Sequence, residues 1–278
     1  MPPKVGLNLQ TLPPEMKPFI LPDEGFMLVN VDGSQAENRL VAWLGPVPRQ
    51  QEGFARGEDM HSLTYSLMFK VPLEDVSREK GSADLGDGKL SQRDAGKKAN
   101  HAGNYGISFK TLAMNLQIPD ATAKDFLGRY HRAYPGVQAN YQAKIKEQVL
   151  RHRSLTTPFG RKRRFLGFMN DDTYREAYSF IPQATVAYII NEWGLQPIYY
   201  DELFADWELL LQVHDSLLFQ VPIPQTEEEI GILRVQLFTL KASLEQPIPP
   251  GALGSGGEVP LIIPADFALG MNYGEMKE

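Results

Sequence analysis

Met27-Leu-Val-Asn-Val-Asp32 and Leu209-Leu-Leu-Gln-Val-His-Asp215 are short apolar runs, each ending in an aspartate. Both read as buried β-strands, the second folding back through a tight turn onto Leu217–Val221 as a hairpin. A carboxylate at the rim of a core costs several kcal/mol unless it is paired or metal-bound. Two strand-end carboxylates can share a pair of metal ions for in-line phosphoryl transfer, about 3.5–4 Å apart. Taken singly, each aspartate also has a structural reading: Asp32 as the cap of a helix starting near Ser34, Asp215 as a turn residue.

Between the two runs lies Arg93-Asp-Ala-Gly-Lys97-Lys-Ala-Asn-His101-Ala-Gly-Asn-Tyr105-Gly106. Arg93, Lys97, His101 and Tyr105 recur every fourth residue. On a helix they form one slanting stripe roughly 18 Å long, about the length of an extended nucleoside triphosphate. Cations at one end suit phosphates, and an imidazole and a phenol at the other suit sugar and base. A solvated basic face is the alternative, and for Arg93 and Lys97 alone it is the stronger one.

The net charge of −6 is unevenly spread. Residues 144–164 hold eight Lys or Arg and one acid, Glu147, a local +7 that leaves −13 for the remainder. Such polarity suits a protein with one face turned to a polyanion. There is no cysteine, which excludes disulfides and thiolate metal sites. No secretory leader and no run of about 20 apolar residues is present, so a soluble, cytoplasmic protein with no membrane partner is expected.

The remaining elements expected are an extended entry over 1–25, a helix from Ser34 to Leu44, and a Gln- and Gly-rich loop. Further helices are read at 59–69, 91–102, after Asp120 with a break at Pro135, at 172–193 and at 226–244. A Pro/Gly-rich loop over 246–258 precedes a final strand near Pro260–Ile263.

Several separated motifs resemble, in order, those of the family A (DNA polymerase I type) DNA polymerases. Asp32-Gly-Ser-Gln-Ala-Glu-Asn-Arg39 is similar to the family's D-x-S-Q-x-E-x-R, Arg93 to Gly106 to its R-x3-K-x7-Y-G, and Gln212-Val-His-Asp215 to its second palm motif. Asn8-Leu-Gln-Thr-Leu-Pro13, Asp59-Met-His-Ser-Leu-Thr, Thr157-Pro-Phe-Gly-Arg-Lys-Arg163 and Arg175 to Thr185 resemble four more. The likeness runs from about residue 7 to Gly270-Met-Asn-Tyr-Gly-Glu, and the variant Lys98-Ala-Asn-His is phage-like.

The resemblance implies an α+β fold, in which a palm (1–58 and 171–278), an antiparallel sheet with helices, is interrupted by mostly helical fingers (59–170). It implies a DNA polymerase that transfers dNTPs to a primer 3′-hydroxyl on primer–template DNA, in a bacterial or phage-infected cell. Asp32, Asp215 and the carbonyl of Gly33 would hold two Mg²⁺ ions. Gln35, Glu37, His61, Arg93, Lys97, His101 and Tyr105 would hold the nucleotide, Glu37 as the steric gate against a 2′-hydroxyl and Tyr105 as a stacking surface. Arg161 and Arg163 would hold phosphates, and Arg175, Gln183 and His214 would lie in the minor groove. For Gln183, burial between paired helices reads nearly as well.

This sequence departs from the family at His101, where Phe or Tyr is usual, at Ser216, where an acid is usual, and at Ser179, where Asn is usual. With about 25 residues before the first palm strand, the readings are a fragment, a poorly processive protein, or a split or truncated enzyme served by a separately encoded thumb or exonuclease subunit, and the split enzyme is the favoured expectation. A non-catalytic DNA-binding remnant, and an RNA polymerase or reverse transcriptase, are the alternatives. Glu37 argues against an RNA polymerase.

Overall fold

A computed structural model describes residues 12–86, 88–250 and 260–276. The elements in chain order are β1 (Phe26–Gly33), α1 (Ala36–Leu44), α2 (Pro48–Ala55), α3 (Met60–Phe69), α4 (Gln92–Asn104), α5 (Phe109–Leu116), α6 (Asp120–Ala133) and α7 (Ala143–His152). There follow β2 (Ser154–Thr156), β3 (Lys162–Arg164), α8 (Asp171–Tyr188), α9 (Gln196–Tyr200), β4 (Glu208–Val213), β5 (Ser216–Pro222), α10 (Glu227–Leu244) and β6 (Ala265–Gly270). The class is α+β. The chain divides into two compact units: one takes the sequence to Ala36, Thr185–Pro247 and the segment from Ile262, the other Glu37–Ala184 and Ile248–Leu261.

The first unit is built on a four-stranded antiparallel sheet of order β4-β5-β1-β6. β1 is central, and Leu28, Val29 and Val31 are buried on both of its faces, which is why its sequence is a continuous apolar run and not an alternation. α10 opens on a capping box between Thr226 and Glu229. It is tied to the rest of the unit by Lys241 Nζ donating to Ala265 O (2.7 Å) and Ser243 Oγ to Trp193 O (2.6 Å).

In the second unit, α3 starts at the Asp59 cap, whose side chain accepts from the Ser62 N–H. α4 starts at the Ser91 cap, whose hydroxyl accepts from the Asp94 N–H. These two helices approach with no side chain between them at Gly96, where a Cβ would stand 2.0 Å from the His61 carbonyl oxygen. Tyr130 of α6 fills the space over Gly103 in the same way. Their apolar faces, with α5 and α6, form one core that includes Met60, Met68, Ala95, Ala99, Leu112, Phe126 and Tyr134. No helix among the described residues is long and apolar enough to cross a membrane.

Four expectations are corrected. The Gln- and Gly-rich stretch after Leu44 contains α2, because Pro48 takes the first helical position, where its missing N–H costs nothing. The last strand is Ala265–Gly270, not Pro260–Ile263, since a strand there would have to include Pro260 and abut Pro264, neither of which can donate to a ladder; Leu261 makes only an isolated bridge to Ile248. The entry segment is not extended throughout but holds a 3₁₀ turn at Pro14–Phe19. The helix expected to Trp193 ends its α-helical part at Tyr188 and continues as π-helical turns over Ile189–Leu195. Most of the Asn8–Pro13 motif and of the 246–258 loop lies outside the described residues.

Candidate active site

In the first unit Asp32 is the last residue but one of β1, opposite Ser216 on β5 and Asp266 on β6. Asp215 occupies the two-residue turn between β4 and β5, with His214 in the left-handed region at φ 53°. The Gly33 N–H donates to the Asp215 carbonyl oxygen at 3.2 Å, which ties the hairpin turn to the end of β1. Asp32 is exposed and Asp215 half-buried. At Gly33 an added Cβ would lie 3.3 Å from the Ala36 Cβ, a close contact that a shift of a few tenths of an ångström would relieve. Asp266 was missed in the sequence because its place depends on which residue β6 sets across from Asp32. The segment Ala265–Gly270 carries no apolar/polar alternation, so no local signal marked that strand.

In the second unit Asp59 does two things at once. Its Oδ2 accepts from Ser62 Oγ (2.7 Å) and from Arg93 Nε (2.7 Å), while Oδ1 accepts from Arg93 Nη2 (3.1 Å). Burial pushes this carboxyl up, but the hydrogen bonds and charge of Arg93 outweigh it and bring its pKa down to about 2. Burial, helped by the neighbouring Arg93 charge, pulls the His61 imidazole down to about 4, so it is neutral at pH 7. Its Nδ1 lies 3.2 Å from Asn100 Nδ2. Lys97 and His101 are exposed on the outer face of α4, and Arg93 is half-buried there.

Tyr105 ends α4 and turns inward, 7% exposed. Its hydroxyl donates to Glu37 of α1, and burial, then the Glu37 carboxylate, raises its pKa well above the ordinary phenol value. His101 meets the Tyr105 ring edge-on, with centroids 5.2 Å apart. Next to this pair Asn104 bonds both Asn38 and the Tyr130 hydroxyl, and Gln142 Nε2 donates to the Gly103 and Asn104 carbonyls at 2.8 and 3.0 Å. The last turn of α4 is therefore closed by side chains from α1, α6 and the turns before α7.

Residues 6–257 match the family described as DNA polymerase family A. The chain belongs to that family. It is 28% identical over 257 residues to DNA polymerase I of Helicobacter pylori (strain J99), covering 86% of this chain and 26% of that protein. To DNA polymerase I of Deinococcus radiodurans it is 30% identical, covering 82% and 24%. To the thermostable DNA polymerase I of Thermus aquaticus it is 30% identical, covering 79% and 26%. The chain thus spans about a quarter of the length of these relatives. Among solved structures, the POL domain of Pol1 from M. smegmatis, in complex with DNA primer–template and dNTP, matches at a TM-score of 0.73 and 26% identity, over 96% of this chain and 44% of that one.

Within this family A chain the expected site residues fall into groups that their own units assemble. Asp32, Gly33, Gln35, His214 and Asp215 lie in the first unit, Gln35 at φ 51° in the turn before α1. Glu37, His61, Arg93, Lys97, His101 and Tyr105 lie in the second. Of the four-residue stripe, three side chains reach the outer face, and Tyr105 does not, because the helix ends there and the ring is drawn into the core beside Glu37.

Arg161, Arg163, Arg175 and Gln183 also belong to the second unit. Arg161 is exposed in the turn between β2 and β3, Arg163 on β3 pairs with Glu176, and Arg175 pairs with Asp172 one turn earlier on α8. Gln183 is exposed on α8, which removes the reading of a polar residue buried between helices.

Proposed function

We propose that this chain is the nucleotidyl-transfer part of a DNA polymerase, adding dNTPs to a primer 3′-hydroxyl under the direction of a template strand. Residues 1–58 and 171–278 are assigned as palm and 59–170 as fingers, bounds that differ from those of the two compact units, which part at Ala36 and Ala184. The observation that carries the proposal is the hydrogen bond from Gly33 to the Asp215 carbonyl, which brings two strand-end aspartates to one rim of the sheet.

The donors there suit Mg²⁺, a hard cation held by one or two carboxylates together with substrate phosphates. Among the described residues no three His, Asp or Glu side chains form a closed metal cage, and such a site does not require one. Asp266 opposite Asp32 is a like-charge cross-strand pair, unfavourable by itself and relieved by a nearby cation. Asp32, Asp215 and the Gly33 carbonyl are the proposed holders of two ions. When bound, such ions lower the pKa of the primer hydroxyl and offset charge on the leaving pyrophosphate.

The side chains of the second unit bind and orient. Lys97 and the guanidinium of Arg93, held flat by Asp59, offer fixed positive charge to a triphosphate. His61, neutral and near the start of α3, offers a hydrogen bond and not a charge. Glu37, held by the Tyr105 hydroxyl, is proposed to occupy the space a ribose 2′-hydroxyl would need. His101 and Gln35 are assigned to the nucleotide, Arg161 and Arg163 to backbone phosphates, and Arg175, Gln183 and His214 to the minor groove.

The test is extension of a labelled primer–template by one dNTP with Mg²⁺, beside Asp215→Ala. Extension by the parent chain that the substitution abolishes supports nucleotidyl transfer. Binding of primer–template without extension, unchanged by the substitution, would favour a non-catalytic DNA-binding role.

A further inference from the structure

The loop Phe165–Met169 presents apolar side chains to solvent beside the most basic stretch of the chain. Leu166 is 87% exposed and Phe168 93% exposed, the two most exposed large apolar side chains among the described residues. The loop is nevertheless anchored. Phe165 is buried and its N–H donates to the Arg153 carbonyl at 2.8 Å, Arg153 Nη1 donates to the Gly167 carbonyl at 2.9 Å, and Thr173 Oγ1 donates to the Phe168 carbonyl at 2.9 Å. Backbone bonds at both ends thus hold the loop so that Leu166 and Phe168 point outward. With Arg153 and Met169 they line a shallow cleft of about 390 Å³.

The surroundings say what such a cleft would take. On the β2–β3 hairpin that leads into it, Arg161, Lys162, Arg163 and Arg164 are all exposed. Among the described residues Arg161, Lys162 and Arg164 make no ion pair, and residues 144–164 carry +7 in a chain of net −6. Cations select a polyanion, and an exposed phenyl ring with a guanidinium at its side selects the face of a flat ring. Duplex DNA hides its base faces within the stack, whereas single-stranded nucleic acid offers both phosphates and open base faces.

We infer that Leu166, Phe168 and Arg153 form a stacking site for an unpaired base of the template strand, whose phosphates run along Arg161–Arg164. The inference rests on the polymerase reading and adds a binding site to it. Gly167, with no atom near the place of its missing Cβ, keeps the floor between the two side chains open to a planar ring.

The experiment is fluorescence anisotropy of two labelled DNAs, a primer–template with a 5′ template overhang of about ten nucleotides and a blunt duplex of the same paired length. Each is titrated with the whole chain, with L166A/F168A and with F168W. The expected result is about a tenfold loss of overhang affinity in the double variant, unchanged blunt-duplex affinity, and wild-type behaviour of F168W. Equal loss on both DNAs overturns the inference, because the side chains would then touch duplex. So does no loss on either, or a wild-type dimer in sedimentation that the double variant dissolves. If the parent chain binds neither DNA and extends no primer, the polymerase reading falls and this inference with it. If it binds and extends, and the double variant matches it, the stacking site alone is wrong.

Discussion

Gly96→Ala adds one methyl group where α3 and α4 touch backbone to backbone. The new Cβ would stand 2.0 Å from the His61 carbonyl oxygen, 3.0 Å from its carbon and 3.2 Å from the Tyr65 nitrogen. None of these is the end of a flexible side chain, so the helices must part by about 1 Å or more to clear it. Alanine is the better helix former by about 1 kcal/mol, while overpacking of this kind costs about 1–3 kcal/mol and here also loosens the packing along both helices. Because the clash is with backbone, the upper end of that cost applies, and less the propensity gain the expected net loss is about 2 kcal/mol. With a urea slope of about 2–3 kcal/mol/M, the unfolding midpoint should fall by about 0.7–1 M. Gly231→Ala is the control, since Gly231 sits within α10 with nothing within 4 Å of the added methyl. There the propensity gain stands unopposed and the midpoint should rise, by about 0.5–1 kcal/mol in stability. Urea unfolding followed by far-ultraviolet circular dichroism reads both. A Gly96→Ala chain as stable as the parent would refute the close approach of α3 and α4.

Tyr105→Phe leaves the Glu37 carboxylate without its phenolic donor, so stability should fall by about 1–2 kcal/mol and exclusion of ribonucleotides should weaken; unchanged dNTP-over-rNTP preference in single-turnover extension would separate the Tyr105–Glu37 pair from sugar selection. The His61 imidazole has a folded pKa of about 4, below its ordinary 6.5. The unfolded chain therefore binds the proton more readily, and this group's contribution is full above about 6.5 and lost as pH falls towards 4. The urea midpoint of the parent should drop relative to that of His61→Gln across that window, and parallel curves would count against it. Asp59, held at about 2, contributes above about 4 and loses its contribution only below it, so the two limbs should be separable.

Much of the architecture was legible because the signals were local. Asp59, Ser91 and Thr226 each cap a helix through a bond to a residue three positions on, and so α3, α4 and α10 can be read from the chain. The apolar run at Met27 named its strand because an inner strand is buried on both faces, whereas the run at Leu209, expected to be buried as well, forms the edge strand β4, with Leu209 48% exposed, because the sheet pairs it on one side only. α2 was not legible, since its Gln- and Gly-containing sequence resembles a loop and only Pro48 hints at a helical first turn. β6 was placed several residues early because Pro260 and Pro264 bracket a segment whose apolar content imitates a strand.

Of the candidate site, the sequence by itself determined which residue types stand at the strand ends and along α4, since spacing along one helix or strand is a property of the chain alone. The tertiary structure decided what they meet. It set Asp266 across from Asp32, occupied Arg93 with Asp59 from 34 residues away, and turned Tyr105 inward onto Glu37 from 68 residues away. It also decided that a methyl group is forbidden at Gly96 and welcome at Gly231. The physical reason is one of range. Caps and periodicity are settled by bonds closed within about four residues, whereas burial, register and the pairing of charges depend on segments that meet only when the chain has folded.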